Sequence, residues 1–346
     1  MKKNIIFALF CFIPFLSFTQ TDTTRAKTEE IDFDSFGDAD DKKVRTFCTQ
    51  KVNYLSPTKL ISIGYEAQLP FHLTSTSVNT AIPETKIIDT HINSFGGLRV
   101  GLNTPIISKS SFILNFGLTF WNTQVAVENP ERSVFFQRIN SMNSTGVNLT
   151  AFKPLNDKQF LIFQANTDLN GNYANLDGQI SKAITYSGTA IYGWKKNDNF
   201  MWGLGVTRTY RAGQLLHIPV ILYNRTFNPT WGIETTFPAK LNVRRNFSPT
   251  SYLMLGYEIE GNTFYLGQIN ASDVYLRRGE LKPRITFETK LTGFVWLSAQ
   301  AGLRYNWRFD AYNTKNPTEP LLGAGSLTNK LGNPLYFNVS LNFVSP

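Results

Sequence analysis

From about residue 60 onward, apolar and polar residues alternate with a period of two. In 60–70, Ile61, Ile63, Tyr65, Ala67 and Leu69 are separated by Ser62, Gly64, Glu66 and Gln68. Phe112, Leu114, Phe116, Leu118 and Phe120 share one face of 111–121, with Asn115, Gly117 and Thr119 on the other. In 231–244, Ile233, Thr235, Phe237, Ala239, Leu241 and Val243 oppose Glu234, Lys240, Asn242 and Arg244. Further along, Ile285 and Phe287 oppose Lys282, Arg284, Glu288 and Lys290, and Leu297, Ala299, Ala301, Leu303, Tyr305 and Trp307 oppose Gln300, Arg304, Asn306 and Arg308. The last run sets Leu335, Phe337, Val339, Leu341 and Phe343 against Tyr336, Asn338, Ser340 and Asn342. Successive side chains of a strand point to opposite faces, so each run predicts a strand with one apolar and one polar face.

A soluble antiparallel sandwich with one wet face alternates in the same way. Three features favour a membrane barrel. Several runs reach the roughly 9–11 residues that a tilted strand needs to cross a bilayer. The polar faces carry charges of both signs near their middles, as a lumen does. Trp121, Trp194, Trp202, Trp231 and Trp307 sit near run ends, where interfacial girdles belong. Connection lengths agree. With the last strand descending to the periplasm, the inner links are Thr292-Gly293, Gly261-Asn262, Asn228 to Thr230, Lys195 to Asn199, Pro154 to Asp157 and one near Thr104 to Lys109. The outer links, about 311–334, 270–280, 168–180, 124–143 and 71–90, are longer, apart from Arg211 to Gln214 and Phe247 to Thr250. Short turns on one side and long loops on the other are the asymmetry of outer-membrane barrels. The count is fourteen strands, with 12 as the alternative.

The amino-terminal end adds the address. Lys2 and Lys3 precede an almost wholly apolar stretch from Ile5 to Phe18, after which Thr19 and Gln20 open a polar segment. Residues 1–19 are therefore expected to be a secretory signal, too short and one-sided to be a spanning helix. A lipoprotein signal using Cys11 is disfavoured by Phe10, where a small residue is needed. Residues 20–54, rich in Asp, Glu, Thr and Lys, show neither apolar period and are expected to form a disordered periplasmic arm. Residues 55–346 would then be a single barrel domain.

Composition changes this picture little. Aromatic residues make up 14% and charged residues 17% of the chain, against roughly 25% charged in an ordinary soluble domain. The net charge of +9, or +7 without Lys2 and Lys3, is scattered rather than clustered, which argues against a nucleic-acid partner. Once the signal is removed Cys48 stands alone, so no intrachain disulfide can form.

Candidate chemistry is sparse. His91 and Ser94 invite comparison with a Ser/His hydrolase, but a spacing of three in a strand points them to opposite faces. His217, beside Pro219 in an apolar strand, reads as an interfacial side chain. No His, Cys and carboxylate cluster has ligand spacing for a metal, and neither Gly96-Gly97 nor Gly203-Leu204-Gly205 has a phosphate-loop setting. No catalytic residue and no cofactor are therefore expected. The one constellation is the inward charge set by parity: Glu234, Lys240, Arg244, Glu258, Glu260, Lys282, Arg284, Glu288, Lys290, Arg304 and Arg308. It has two readings. One is a constriction that passes small polar solutes and mildly favours anions. The other is a paired network that fills and stiffens the lumen.

Trp231-Gly232-Ile233-Glu234, Phe237-Pro238-Ala239-Lys240-Leu241 and Leu255-Gly256-Tyr257-Glu258-Ile259-Glu260-Gly261 resemble part of an uncharacterised family of outer-membrane barrels from Bacteroidetes-type bacteria, a domain of unknown function. The resemblance spans about 215–266 and implies a barrel in the cell outer membrane, in contact with its lipid, without an assigned site residue. The expected fold is thus all-β, a single antiparallel transmembrane barrel of about fourteen strands. Its expected role is a passive pore for small polar solutes or a structural, surface one. The rivals are a lipid-modifying hydrolase and a secreted, glycan-binding β-sandwich.

Overall fold

A computed structural model of the chain describes residues 47–77, 87–210, 213–316 and 327–345. The signal segment and most of the arm expected over 20–54 lie outside these residues. Seventeen strands are present among the described residues. They are β1 (Lys59–Gln68), β2 (Phe71–Ser77), β3 (Ile88–Lys109), β4 (Phe112–Val127), β5 (Ser141–Pro154), β6 (Gln159–Gly171), β7 (Ile184–Asn197), β8 (Phe200–Thr209), β9 (Leu216–Thr226), β10 (Trp231–Phe237), β11 (Lys240–Ser248), β12 (Ser251–Ile269), β13 (Ser272–Thr292), β14 (Val295–Leu303), β15 (Tyr305–Tyr312), β16 (Leu327–Leu331) and β17 (Leu335–Val344). Two short helices, α1 (Val134–Arg138) and α2 (Ile180–Ala183), lie in loops.

Antiparallel ladders join β3 to β4 and every consecutive pair through β14; β14 then pairs with β17, β17 with β1, and β1 with β3. This closes a ring of fourteen strands. β2, β15 and β16 are the upper continuations of β1, β14 and β17 across local breaks at 69–70, 304 and 332–334. The break after Leu69 coincides with Pro70, which has no N–H for a ladder.

Six links at one end are short: 110–111, 155–158, 198–199, 227–230, 249–250 and 293–294. This turn end also holds the start of β1 and the end of β17. The loop end carries the ends of β2, β4, β6, β8 and β15 that longer links leave, together with two tight turns at 238–239 and 270–271. Four expected links therefore move. Thr104 to Lys109 is the end of β3, Gly261-Asn262 lies inside β12, 270–280 is mostly β13, and Phe247 to Thr250 turns at the turn end. The stretch 231–244 is two strands, because Pro238 and Ala239 reverse the chain without changing side-chain parity: Thr236 pairs with Lys240. One strand split and one pair fused, so the count of fourteen survives two compensating errors.

Burial is inverted relative to a soluble protein. Along β1, Ile63 and Tyr65 are about half exposed (48% and 59%) while Glu66 is 5% exposed. Along β17, Phe337 and Val339 face outward while Tyr336, Asn338, Ser340 and Asn342 are buried. Leu204, Val206, Leu255, Ile285 and Phe287 continue the outward apolar band. Soluble monomers rarely expose contiguous apolar patches beyond a few hundred Å². A closed ring wearing such a belt fits lipid, which sheets span as closed barrels whose ladder bonds are made between strands. At the turn end, Trp194 and Trp202 stack at 4.5 Å on the outer wall, and Phe227, Trp231, Phe247 and Phe294 are exposed. These form a girdle. Trp121 does not belong to it: it faces inward beneath the Arg99 guanidinium, 4.5 Å from its ring centroid, because β4 reaches Val127 and carries Trp121 to mid-strand.

The interior is filled at both ends. At the loop end, Phe135, Phe136 and Ile139, on and just after α1, turn inward onto Leu73, Ile92, Phe95, Leu266, Leu276, Phe309 and Leu327. Ser133 caps α1 by accepting a hydrogen bond from Phe135 N. The upper half of the β12–β13 hairpin is buried on both faces, over 260–267 and 274–280. It leans across the lumen far enough for Tyr265 to bridge Gly171 of β6, a strand that is not its neighbour in the ring. A Cβ at Gly171 would lie 2.6 Å from the Tyr265 carbonyl oxygen, so only glycine permits the approach.

At the turn end, residues 47–58 cross the mouth as a strap. Cys48 N donates to Asn156 O (2.9 Å), Asn53 N to Asp198 O (2.7 Å), and Lys195 Nζ to Thr49 Oγ1 (2.8 Å) and Lys51 O (2.9 Å). Cys48 and Val52 pack on Phe152, Phe160, Ile191, Met201, Val220 and Leu222. Burial pushes the Cys48 thiol above its ordinary pKa, which keeps it protonated and poorly nucleophilic.

Candidate functional site: a charged lumen wall and an interior cavity

The strand ladder brings the inward charges of β1, β3, β12, β13 and the β14–β15 break to one wall. Glu66 accepts from Arg99 Nη2 (2.6 Å), from Lys282 Nζ (2.9 Å) and from Arg304 Nη2. Glu260 accepts from Arg99 (2.9 Å) and Lys282 (2.8 Å), while Glu280 accepts from Arg278 (2.8 Å) and forms an ion pair with Arg304 (3.1 Å). All seven groups are largely or fully buried. The cations also stack on rings: Lys282 and Arg304 lie 4.9 and 5.3 Å from the Tyr336 ring centroid. Below this cluster, Arg284 pairs with Glu258 at 2.6 Å.

The other sequence candidates divide. Glu234 pairs with Arg244 and accepts from Ser56 N (2.9 Å) and Ser56 Oγ, anchoring the strap's end. Glu288 takes Lys59 Nζ (2.7 Å), Ser298 Oγ (3.1 Å) and the Tyr252 hydroxyl. Arg308 donates to Tyr312 Oη at 3.1 Å and to Gln214 at 3.4 Å, near the loop end. Lys290 is exposed near the turn end of β13. Lys240 makes no ion pair among the described residues.

Parity therefore brings Glu258, Glu260, Lys282, Arg284 and Arg304 together, with Lys240 beside them, and leaves the rest at the two ends. Four central groups lie outside that parity set. Glu66 is on the inward face of its run, and Arg99 stands alone in Leu98-Arg99-Val100. Arg278 and Glu280 fell in a segment read as a loop. A lone charge flanked by outward apolar residues was the signal for Arg99.

Against this wall, with Glu258 and Glu260 in its lining, lies a cavity of about 580 Å³. β4 to β8 give it a polar side that includes Thr119, Asn148, Gln164, Asn166, Thr189 and Thr207. β9 gives an apolar side, since Leu216, Ile218, Val220 and Leu222 all face inward. β9, read from the sequence as an apolar strand, thus lacks the polar lumen face of the alternating runs. Its interior apolar row packs toward the floor formed with the strap. The three histidines lie elsewhere: His72 and His91 meet edge-on across the β2–β3 ladder at 5.1 Å, His91 Nδ1 is 3.6 Å from Glu128, and His217 points outward from β9.

A family model described as a domain of unknown function (DUF6268) matches residues 97–343. The chain belongs to this family. No curated protein sequence matches it. Among solved structures, the DUF6268 chain is similar to the P. putida toluene transporter TodX, with 6% identity, 84% of this chain and 91% of that one covered, and a TM-score of 0.37. A Pseudomonas aeruginosa FadL homologue aligns with 9% identity over 83% and 90% of the two chains, TM-score 0.38. An outer membrane channel from Pseudomonas putida F1 aligns with 11% identity over 85% and 100%, TM-score 0.34. At these values the architecture of the DUF6268 barrel rests on its own closed ladder and apolar belt.

Proposed function

We propose that this protein is an outer-membrane barrel with its short turns in the periplasm, a non-enzymatic conduit that handles small solutes one at a time through an occluded lumen. The observation that carries the reading is a cavity of about 580 Å³ between an apolar plug at the loop end and the 47–58 strap at the turn end. Its size falls within the roughly 300–1,000 Å³ of small-molecule sites. The charged wall is mutually paired, which supports its role as scaffold for the bent β12–β13 hairpin over that of an anion-selecting constriction. Breaking one member strands its partners, and filling the wall this way holds the hairpin against β1 and β3.

Single-channel recording of the refolded mature protein in planar bilayers tests the reading. The expected result is insertion, seen as heat-modifiable gel mobility, with no stable conductance steps. Steady steps with anion preference that fall on Arg304→Glu would overturn the occluded lumen in favour of an open pore.

A further inference from the structure

We propose, resting on the occluded-barrel reading above, that the cavity is entered sideways from the membrane through a window in the barrel wall, and that it takes a single-chain amphiphile with an anionic end. The window follows from the strand ladder. β10 and β11 are the lowest part of the wall, at 7 and 9 residues, while β12 and β13 beside them run to 19 and 21. β9 loses its β10 partner above Ile221, which faces Phe237, and β12 loses its β11 partner above Glu258, which faces Lys240. A last backbone bond, Ile259 N to Ala239 O at 2.8 Å, closes the sill.

Above that sill the cavity itself shows the gap. Glu258, Ile259, Glu260, Gly261 and Asn262 all line it, although consecutive strand residues point to opposite faces of a wall. One cavity can touch both faces of β12 only by passing around its edge. The lintel is Gly213 and Gln214, just before β9: Arg277 Nε donates to Gly213 O at 2.9 Å, and Arg308 reaches Gln214. Gly213 has φ +77, and a Cβ there would lie 2.6 Å from Arg278 O, so this tie requires glycine.

The height of the sill places it in lipid. From the girdle residue Trp231 to Phe237 is six steps of about 3.4 Å. At a tilt of about 40° that is roughly 16 Å of rise, inside an apolar belt about 25 Å tall. Phe237 is exposed at the sill, and Trp307 lines the groove where the cavity emerges. A molecule dissolved in the outer leaflet therefore meets the opening, while the strap and plug face the two aqueous sides.

The lining sets the ligand. Leu216, Ile218 and Val220 form an apolar track running inward from the window. Lys240 stands at the sill without an ion pair among the described residues; the nearest carboxylate across the ladder, Glu258, is already held by Arg284 at 2.6 Å. Lys240 is the one basic side chain of a lining whose Glu258 and Glu260 are held by Arg284, Arg99 and Lys282 and whose Asp168 is also engaged, so beside the apolar track it fits a single chain ending in a carboxylate or similar anion.

The test uses the full mature protein in phospholipid vesicles containing a diazirine-bearing fatty acid, with photo-adducts mapped by mass spectrometry. The expected result is labelling of the belt residues Leu255 and Ile285 and also of the interior residues Leu216 and Ile218. Ala239→Trp, which raises the sill, is expected to abolish the interior adducts and leave the belt adducts intact. Lys240→Ala is expected to lower interior labelling by the acid but not by its methyl ester. Belt labelling without interior labelling would overturn the window and leave the occluded barrel standing. Absence of belt labelling would overturn the barrel itself. Interior adducts undiminished in Ala239→Trp would show another entrance and overturn the proposal.

Discussion

Replacing Glu66 with alanine is expected to destabilise the barrel by about 3–5 kcal/mol, the range for breaking a buried ion pair by removing one partner. Glu66 is the point where Arg99, Lys282 and Arg304 converge. Without it those three cations and Arg278 are left with Glu260 and Glu280 alone, inside a wall that bulk water does not reach. The desolvation of the cations was met by the Coulomb attraction of three carboxylates, and two cannot hold the same geometry. The loss is expected to fall on the upper barrel first, since Arg304 sits at the break between β14 and β15 and Lys282 where β13 changes partner from β15 to β14. Glu66→Gln, which keeps an acceptor, is expected to cost less. Urea unfolding followed by heat-modifiable mobility reads both variants. A shift below about 1 kcal/mol for Glu66→Ala, the level of solvated surface pairs, would mean that water fills the wall.

The double variant Phe135→Ala, Phe136→Ala is expected to open the loop end while leaving the barrel assembled. In a soluble core each truncation would cost about 3–5 kcal/mol. Here the two rings belong to a five-residue helix on a loop, and the ladders of β3, β4 and β5 do not depend on them. The cost therefore appears as local opening rather than global unfolding. Both rings are fully buried against Leu266, Leu276 and Phe309, so their removal frees the leaning β12–β13 hairpin as well. Flickering conductance is expected where the wild type is silent, with faster hydrogen exchange over 263–276. A silent trace with wild-type exchange would show that the hairpin alone seals the lumen.

Most of the wall was legible because parity is a strong constraint: a strand that slips by one residue moves its whole apolar row to the wrong side. Thus β1, β4, β13 and β17 carry the expected outward residues. What parity cannot report is where a chain reverses without breaking it. The Pro238-Ala239 turn keeps Thr236 and Lys240 on the same side, so 231–244 reads as one continuous strand. Parity also fails where both faces are covered, as in 260–267 and 274–280, because burial of the hairpin inside the lumen removes the polar face that marks a strand. Arg278 and Glu280 were hidden for that reason. The inward apolar row of β9 is the same failure seen from inside: Leu216, Ile218, Val220 and Leu222 face a cavity and a packed floor, not water.

The membrane-spanning assignment is tested most directly by nitroxide scanning of β12 from Tyr252 to Ile259 in vesicles, reading accessibility to oxygen and to a water-soluble nickel chelate. Leu253, Leu255, Tyr257 and Ile259 are expected to be oxygen-accessible and chelate-protected, with Tyr252, Met254, Gly256 and Glu258 inaccessible to both or reached only by the chelate. Loss of the two-residue alternation, or chelate access at Leu255 equal to that of a soluble strand, would contradict a lipid-facing barrel and favour a secreted sandwich.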